Sequence, residues 1–302
     1  MNGQNNYPIT VLMSSYNGEK YIETQIQSIF HQNNVEVELI IRDDGSKDNT
    51  VNIVERLSEL YNIKLIKGEN IGAKASFYEL IRKCPEATYV AFCDQDDYWI
   101  EEKLFVAINR IKNRKDVPVM YYSNLYVVNE RLENRGKMFN SLTPKNFGQS
   151  LTYNDVVGCT LVINKCLLNI VKKSLSISPI CYHDQWISLI CNWFDGVKIA
   201  DNQSYILYRQ HENNEVGAKE GIKKKIMKSS FLRGKNTRSS IAMQMLESVK
   251  DFADYRSLPE AELIAMYDKS IKNKIKLINA RYNRKGVVNF LSYSMSIILN
   301  LY

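Results

Sequence analysis

Residues Ala87–Trp99 read ATYVAFCDQDDYW. Ala87 to Cys93 is a short, nearly unbroken apolar run, as expected of a strand covered on both faces. Three carboxylates then fall within four positions, at Asp94, Asp96 and Asp97. Such acids repel one another unless a cation or hydrogen bonds compensate. A hard divalent cation shared between one or two carboxylates and substrate phosphates is a common solution. A cap on the helical pattern that begins near Glu101 would account for one acid, Asp96 or Asp97, but not for three.

The same alternation recurs on either side. Ile9–Met13, Val35–Ile41 and Ile63–Ile66 are β-type runs, while Glu19–His31, Asp48–Tyr61, Ala73–Lys83 and Glu101–Asn113 carry helical spacing. Short connections between alternating strands and helices imply an α/β fold, with a mostly parallel sheet, helices on both faces and right-handed crossovers. Ligands in such sheets bind beyond the carboxyl ends of the strands. Those ends read Ser14-Ser15-Tyr16-Asn17, Asp43-Asp44-Gly45-Ser46, Gly68-Glu69-Asn70 and Asp94-Gln95-Asp96-Asp97. In the second, Gly45 supplies a tight turn and Ser46 or Asp48 caps the next helix, which leaves Asp43 to accept a hydrogen bond from a ligand. Neither GxGxxG nor GxxxxGK followed by Ser or Thr occurs, so dinucleotide and P-loop readings lack their phosphate loops.

Further on the pattern loosens. Val117–Ser123 and Leu161–Ile163 read as strands around a loop-rich stretch from Glu130 to Tyr153. His183–Asn192 reads as a helix, and Val197–Ala200 and Gln203–Tyr208 as two closing strands. After about Gly217 only helical patterns follow, roughly Arg238–Tyr255, Pro259–Ala280 and Val287–Leu301. The expected organisation is an α/β domain over residues 1–217 and a basic helical region over 218–302.

The 302 residues carry a net charge of +7, unevenly spread: Lys219–Lys285 holds 17 Lys and Arg against 7 Asp and Glu. This block includes Lys223, Lys224, Lys225, Lys228, Arg233, Lys235 and Arg238. A basic block on helices suits an anionic partner, or is simply a solvated face. The aromatics there, Phe231, Phe252, Tyr255, Tyr267 and Tyr282, stand at core-like helical spacings, which argues against base stacking and against nucleic acid. The segment VVNFLSYSMSIILNLY, Val287–Tyr302, is too short and too polar to span a bilayer. It suits a membrane interface, a dimer contact or packing on the α/β domain. Six Cys, at 84, 93, 159, 166, 181 and 191, form no CxxC pair, so buried reduced thiols of a cytosolic protein are expected. The polar start, Met1–Pro8, has no apolar h-region, so no signal peptide is expected. With 45% apolar and 24% charged residues the chain is ordinary for a globular protein, which excludes disorder as its main state.

Four segments in order, VLMSSYNGEKYI, IRDDGSKDNT, NIGAKASF and FCDQDDYW, resemble the N-terminal half of a family 2 glycosyltransferase with the GT-A fold. The likeness covers roughly residues 8–215. The later segments VVGCTLVINK, CYHDQWIS and YRQHENNEVG are similar more narrowly to the bacterial rhamnosyltransferase branch, which builds cell-wall, capsule or O-antigen polysaccharides. Glu212 departs from that branch, where a small residue is more usual.

The resemblance implies roles for particular residues. Ser14, Tyr16 and Asp43 would hold the pyrimidine nucleotide of the donor, Asp43 facing the base and Tyr16 stacking on or flanking it. Asn70, Gly72 and Lys74 would belong to the segment that closes over the nucleotide. Asp94 and Asp96 would form a DxD pair, with Asp96 ligating Mn²⁺ or Mg²⁺ on the diphosphate and Asp94 contacting the ribose or the metal shell. Asp97 is left to cap the following helix, and Trp99 to pack beneath the site. Gly158-Cys159-Thr160 would pass close to the sugar–diphosphate, Gly158 allowing close backbone approach, with Cys159 either in contact or structural. Asp184 matches the general base. His211 would be a metal or diphosphate contact, and Arg209 a diphosphate or a structural partner.

An inverting transfer needs one acid apart from the metal acids, to take the acceptor's proton, and Asp184 is well separated in sequence from Asp94–Asp97. Its structural role would be an N-cap. The expected activity is metal-dependent transfer of a hexose, with dTDP-L-rhamnose as favoured donor, onto a cell-surface polysaccharide precursor. UDP-glucose or UDP-galactose is the rival donor, and a non-catalytic protein holding an anionic polymer the rival class. A lipid-linked acceptor would place the enzyme in the cytoplasm, peripheral at the inner face of the plasma membrane, with the C-terminal helices serving attachment or oligomerisation.

Overall fold

The computed structural model describes residues 6–211, 237–253, 259–280, 282 and 287–302. The boundary expected near residue 217 lies outside the described residues, as do Glu212, the basic cluster from Lys223 to Lys235, Phe231 and Tyr255.

The first half follows the expected alternation. Strands β1 (Tyr7–Ser15), β2 (Val35–Asp43), β3 (Ile63–Lys67) and β4 (Tyr89–Cys93) alternate with helices α1 (Ile22–Phe30), α2 (Thr50–Ser58) and α3 (Ala73–Lys83). After the short β5 (Tyr98–Trp99) comes α4 (Lys103–Ile111). Then follow β6 (Val119–Val128), β7 (Asn134–Lys137), α5 (Phe147–Thr152), a 3-10 turn at Gly158–Thr160, β8 (Val162–Asn164), α6 (Lys165–Ser174), α7 (His183–Trp193) and β9 (Val197–Arg209).

Among the described residues the nine strands form one sheet in the order β3-β2-β1-β4-β8-β6-β9-β5, with β7 paired to β6. The block β3-β2-β1-β4 is parallel, β8 runs antiparallel to both β4 and β6, and β6 and β9 are parallel. The chain winds outward from β1 to β3 and then returns to the other side of β1 to lay down β4. Strand order therefore reverses between β1 and β4, and a crevice opens beyond the carboxyl ends of strands at such a point. The two ends that meet there carry Ser14–Tyr16 and Asp94–Asp97.

Successive residues of a strand point to opposite faces, and here both faces are covered. Val11, Met13, Leu39 and Ile41 pack on one side with Ile22, Ile26 and Ile29 of α1, and with Leu104 and Ile108 of α4. Leu12 and Ile40 pack on the other side with Phe77 and Ile81 of α3 and Trp186 and Ile190 of α7.

Two expectations fail. Val197–Arg209 is one strand, not two, because the polar residues near Asp201 form an irregularity in its pairing with β6 between Ser123 and Asn124. The long helix read over Pro259–Ala280 is broken into α9 (Pro259–Ala265), a 3-10 turn at Tyr267–Lys269, and α10 (Ile271–Ala280). Ser270 is extended and its Oγ accepts from the Asn273 amide at 3.1 Å, which starts a new helix. Before these comes α8 (Thr237–Val249), and after them α11 (Val287–Ile298).

The described C-terminal helices share the core of the α/β part. Ile241 and Met245 of α8, Ile264 of α9, Leu277 of α10 and Ile297 of α11 join the cluster on the α3–α7 side of the sheet. Tyr302 Oη and Thr152 Oγ1 lie 2.6 Å apart, and the Tyr282 ring lies so close over Gly148 that a Cβ there would meet it at 2.4 Å. Phe252 stacks on Phe194, and Tyr267 is buried, so these aromatics are core as expected.

Candidate active site

The turn after β2 is built on its own acids. Asp43 is 2% exposed and its carboxylate accepts from Ser15 Oγ (3.1 Å), the Gly45 amide (3.1 Å), the Ser46 amide (2.8 Å) and Ser46 Oγ (2.6 Å). The Asp43 carboxylate is thus also the internal scaffold of the turn, a role an Asp at a strand end takes up readily. Asp44 is buried too. It pairs with Arg42 Nη1 and accepts from the Ile71 and Gly72 amides at 2.9 and 2.8 Å. Arg42 also donates to the Glu69 carbonyl (3.0 Å) and to Ser76 Oγ (3.2 Å), and Ser14 Oγ donates to the same Ser76 Oγ at 2.8 Å. Asp44 and Arg42 thereby fix the Asn70–Gly72 segment against the end of β1.

Asn70 Oδ1 accepts from the Gly72 amide at 3.2 Å. Gly72 has φ +81° with open space around it, so its backbone conformation, not crowding, calls for glycine. Lys74 Nζ donates to the Ile180 carbonyl at 3.3 Å and so links α3 to the loop before α7. Tyr16 is exposed at the crevice, while its backbone amide and carbonyl are both held by the Gln95 side chain, each at 2.9 Å. A Cβ at Gly18 would meet Gln95 Oε1 at 2.2 Å, so Gly18 makes room for this clamp.

The acidic loop is brought to residues more than a hundred positions away by one short pairing. Tyr98 and Trp99 lie antiparallel to Leu207 and Ile206 of β9, and this sets Asp94–Asp97 beside Arg209–His211. His211 Nε2 and Asp96 Oδ2 lie 2.7 Å apart, both mostly buried. The His211 ring rests against Tyr21, centroids 5.0 Å apart. Arg209 is buried, with Nε donating to the Asp96 carbonyl at 2.8 Å, Nη1 donating to the Glu130 carbonyl, and its guanidinium 4.5 Å over the Tyr21 ring. Of its two expected roles these contacts are the structural one.

Asp97 does not cap α4. The residue before that helix is Glu102, and Asp97 lies fully buried with Oδ1 accepting from the Arg209 amide at 3.1 Å. Burial, and then the charges of Asp96 and Asp94, push its carboxyl well above the usual range. The carboxylates of Asp94 and Asp97 and the Cys159 thiol offer atoms all within 4.8 Å of one another. Burial, and then the charges of Asp97 and Asp94, raise the Cys159 thiol well above its ordinary value. Beneath lies Lys103, buried, its Nζ 3.5 Å from the centre of the Trp99 ring, with its pKa pulled down to about 8 by burial against the opposing pull of Cys93, Cys159 and Asp97. Trp99 itself is buried, as expected.

The remaining wall is the start of α7. Tyr182 is the residue that precedes this helix, so Asp184 is not its N-cap; it stands in the first turn, partly exposed, with Oδ1 accepting from the Gln185 amide at 2.6 Å. His183 turns inward, stacked on Phe77 (4.0 Å) and beside Phe92 (5.0 Å), and burial lowers its pKa to about 3. A Cβ at Gly158 would meet His183 Nε2 at 2.7 Å, so the close approach Gly158 allows is to this imidazole. Thr160 Oγ1 donates to the Val157 carbonyl at 2.8 Å and is buried, which closes its own turn.

Sequence reasoning thus brings Ser14, Tyr16, Asn70, Gly72, Asp94, Asp96 and His211 to one end of the sheet, with Asp184 on the neighbouring α7. It missed Arg42, Gln95, Tyr21 and Lys103. Gln95 lies inside the acidic motif, but a side chain that clamps a backbone leaves no pattern in sequence. Lys103 reads as an ordinary helix-start lysine until β5 and β9 cover it.

Comparisons with known proteins give the family. Residues 10–167, about half of the chain, match the glycosyl transferase family 2 description. The chain is 34% identical over 246 residues to the dTDP-rhamnosyl transferase RfbG of Shigella flexneri, covering 76% of this chain and 82% of that one. It is 32% identical over 170 residues to WfgD of Escherichia coli, a UDP-Glc:alpha-D-GlcNAc-diphosphoundecaprenol beta-1,3-glucosyltransferase, covering 54% of this chain and 62% of that one. The S. aureus TarS fragment 1–349, solved with UDP-GlcNAc, superposes with a TM-score of 0.57 at 18% identity, over 98% of this chain and 93% of that one. The chain belongs to glycosyl transferase family 2, with the GT-A fold, and is a glycosyltransferase.

Proposed function

We propose that the protein is an inverting, metal-dependent hexosyltransferase that moves L-rhamnose from dTDP-L-rhamnose onto the precursor of a bacterial cell-surface polysaccharide. The observation that carries this reading is the meeting of Asp96 and His211, 2.7 Å apart at the β1/β4 switch point, with a further acid, Asp184, on a separate wall. Carboxylate oxygen and imidazole nitrogen suit Mn²⁺ or Mg²⁺. Asp96 and His211 would hold the ion and Asp94 would stand at its edge or at the ribose. When bound, the ion would supply charge stabilisation to the departing nucleotide diphosphate.

The chain's own residues do the rest. Arg209 and Gln95 hold the acidic loop, and Arg42 with Asp44 holds the Asn70–Gly72 segment beside the nucleotide. Tyr16 flanks the base. Asp184 accepts the proton of the acceptor hydroxyl as that oxygen bonds to the anomeric carbon and the bond from that carbon to the diphosphate oxygen breaks on the opposite side. Its hydrogen bond from the Gln185 amide orients the carboxylate.

The relative named as a dTDP-rhamnosyl transferase supports the donor. The relative named for UDP-Glc favours a second reading, UDP-glucose or UDP-galactose, since thymine and uracil present the same hydrogen-bonding edge. The diphosphoundecaprenol in that relative's name supports a lipid-linked acceptor, and with it a place at the inner face of the plasma membrane. A calorimetric panel of dTDP-rhamnose, UDP-glucose, UDP-galactose and UDP-N-acetylglucosamine, each with Mn²⁺ and with EDTA, tests the proposal. Metal-dependent binding of dTDP-rhamnose alone is expected. Selective binding of a UDP-sugar would replace the donor, and equal binding in EDTA would remove the metal.

A further inference from the structure

The C-terminal helices leave one apolar face uncovered among the described residues. On α11 and just past its end, Leu291, Met295, Ile298 and Leu299 are each 52–58% exposed. Their spacing puts them on one side of the helix, opposite the buried Tyr293, Ser296 and Ile297. Lys274 Nζ donates to the Ile298 carbonyl at 3.1 Å and Tyr293 Oη to the Leu277 carbonyl at 2.5 Å, so α10 and α11 lie side by side and antiparallel. On α10, Ile271 is 77% and Ile275 54% exposed, one helical turn apart, with exposed Lys272 and Lys276 alongside them. From Lys269 to Tyr302 the sequence holds seven Lys and Arg and not one Asp or Glu.

We propose that this face is the surface by which the protein docks on an anionic lipid bilayer. The lysines meet the headgroup charge while the six apolar side chains enter the boundary between headgroups and acyl chains. Apolar side chains clustered on an exposed face mark an interaction site. An amphipathic helix with basic residues beside an apolar stripe gains from shallow insertion and from anionic lipid together. Charge decides between a bilayer and a second copy of the chain. Self-association would bring the exposed Lys272 and Lys276 of two copies together, whereas an anionic surface complements them. Among the described residues no helix is long and apolar enough to cross a membrane. For its purpose the inference rests on the reading of a lipid-linked acceptor; for its physics it needs neither donor nor acceptor.

The test is co-sedimentation of the full chain with vesicles of phosphatidylcholine alone and of phosphatidylcholine mixed with phosphatidylglycerol. The parent protein should bind the anionic vesicles, and bind them less as salt rises. The variant carrying Ile271→Glu, Leu291→Glu, Met295→Glu and Ile298→Glu should bind at least about tenfold more weakly. Its thermal melt and its transfer to a water-soluble acceptor should stay unchanged. Equal vesicle binding by the two forms would overturn the proposal. So would a parent that ignores anionic vesicles, including one that light scattering finds as a dimer dissolved by the variant. Vesicle binding without transfer from any nucleotide sugar would support the docking face and reject the donor reading.

Discussion

Asp43 is a charged side chain with 2% of its surface exposed, and Leu291 an apolar one with 57% exposed. Each stands where its chemistry is least comfortable, and the two regions answer differently. Around Asp43 four hydrogen bonds fill the carboxylate, and Arg42 and Asp44 beside it are likewise buried and paired. Buried charge is tolerated only when paired and hydrogen-bonded, so these groups must sit where they are. Around Leu291 the described residues leave the side chain exposed. A site that aligns a diphosphate, a sugar and a hydroxyl needs fixed geometry. A face that touches a fluid surface needs composition only. Substitutions should therefore be costly in the first region and nearly silent for stability in the second.

The largest effect falls on the acids. Asp96→Asn should abolish Mn²⁺-dependent donor binding in calorimetry; binding that still depends on Mn²⁺ as before would take Asp96 out of the metal site. Next is Arg42→Met, which leaves Asp44 buried without its partner. Breaking such a pair costs about 3–5 kcal/mol, readable as a lower urea midpoint. A shift too small to measure would mean that the Asn70–Gly72 segment is held by other contacts.

His183 gives a pH test. Burial holds its pKa near 3, against an ordinary 6.5. As pH falls below about 6.5, the unfolded chain takes up a proton that the folded chain refuses, and stability declines by up to about 1.4 kcal/mol per pH unit until the folded pKa is reached. His183→Phe should flatten the fall of melting temperature between about pH 6.5 and pH 4. Parallel curves for the two proteins would show that the imidazole is not buried in its neutral form. The smallest effect is expected at Leu291→Glu, within about 0.5 kcal/mol of the parent. A large loss there would mean that the C-terminal face is packed in solution, and would erase the contrast.

What was legible in the sequence follows the same line. Helix α3 falls on Ala73–Lys83, the residues its spacing marks, and the four strand ends gather as their polar residues suggest. Local pattern suffices for these. Asp97 was misread because a carboxylate's partners decide its role, and its partner comes from β9, more than a hundred residues on. The broken helix at Ser270 and the single strand β9 turn on polar residues that read equally well as a gap, a cap or a bulge. Helix α5 did carry a readable signal: Asn146 and Gln149 form a capping box, with the Asn146 side chain accepting from the Gln149 amide at 2.9 Å. In the stretch from Glu130 to Tyr153 that signal was hidden by the surrounding turn residues.

The proposed mechanism divides the labour between acids, one set for the metal and diphosphate and one for the proton. Asp184→Asn keeps size and removes the base. Donor binding by calorimetry and transfer by single turnover should therefore separate in this variant. The account predicts unchanged metal-dependent donor affinity and transfer slowed by about 10²–10⁴-fold. Transfer within a few-fold of the parent, or donor binding lost together with transfer, would contradict it.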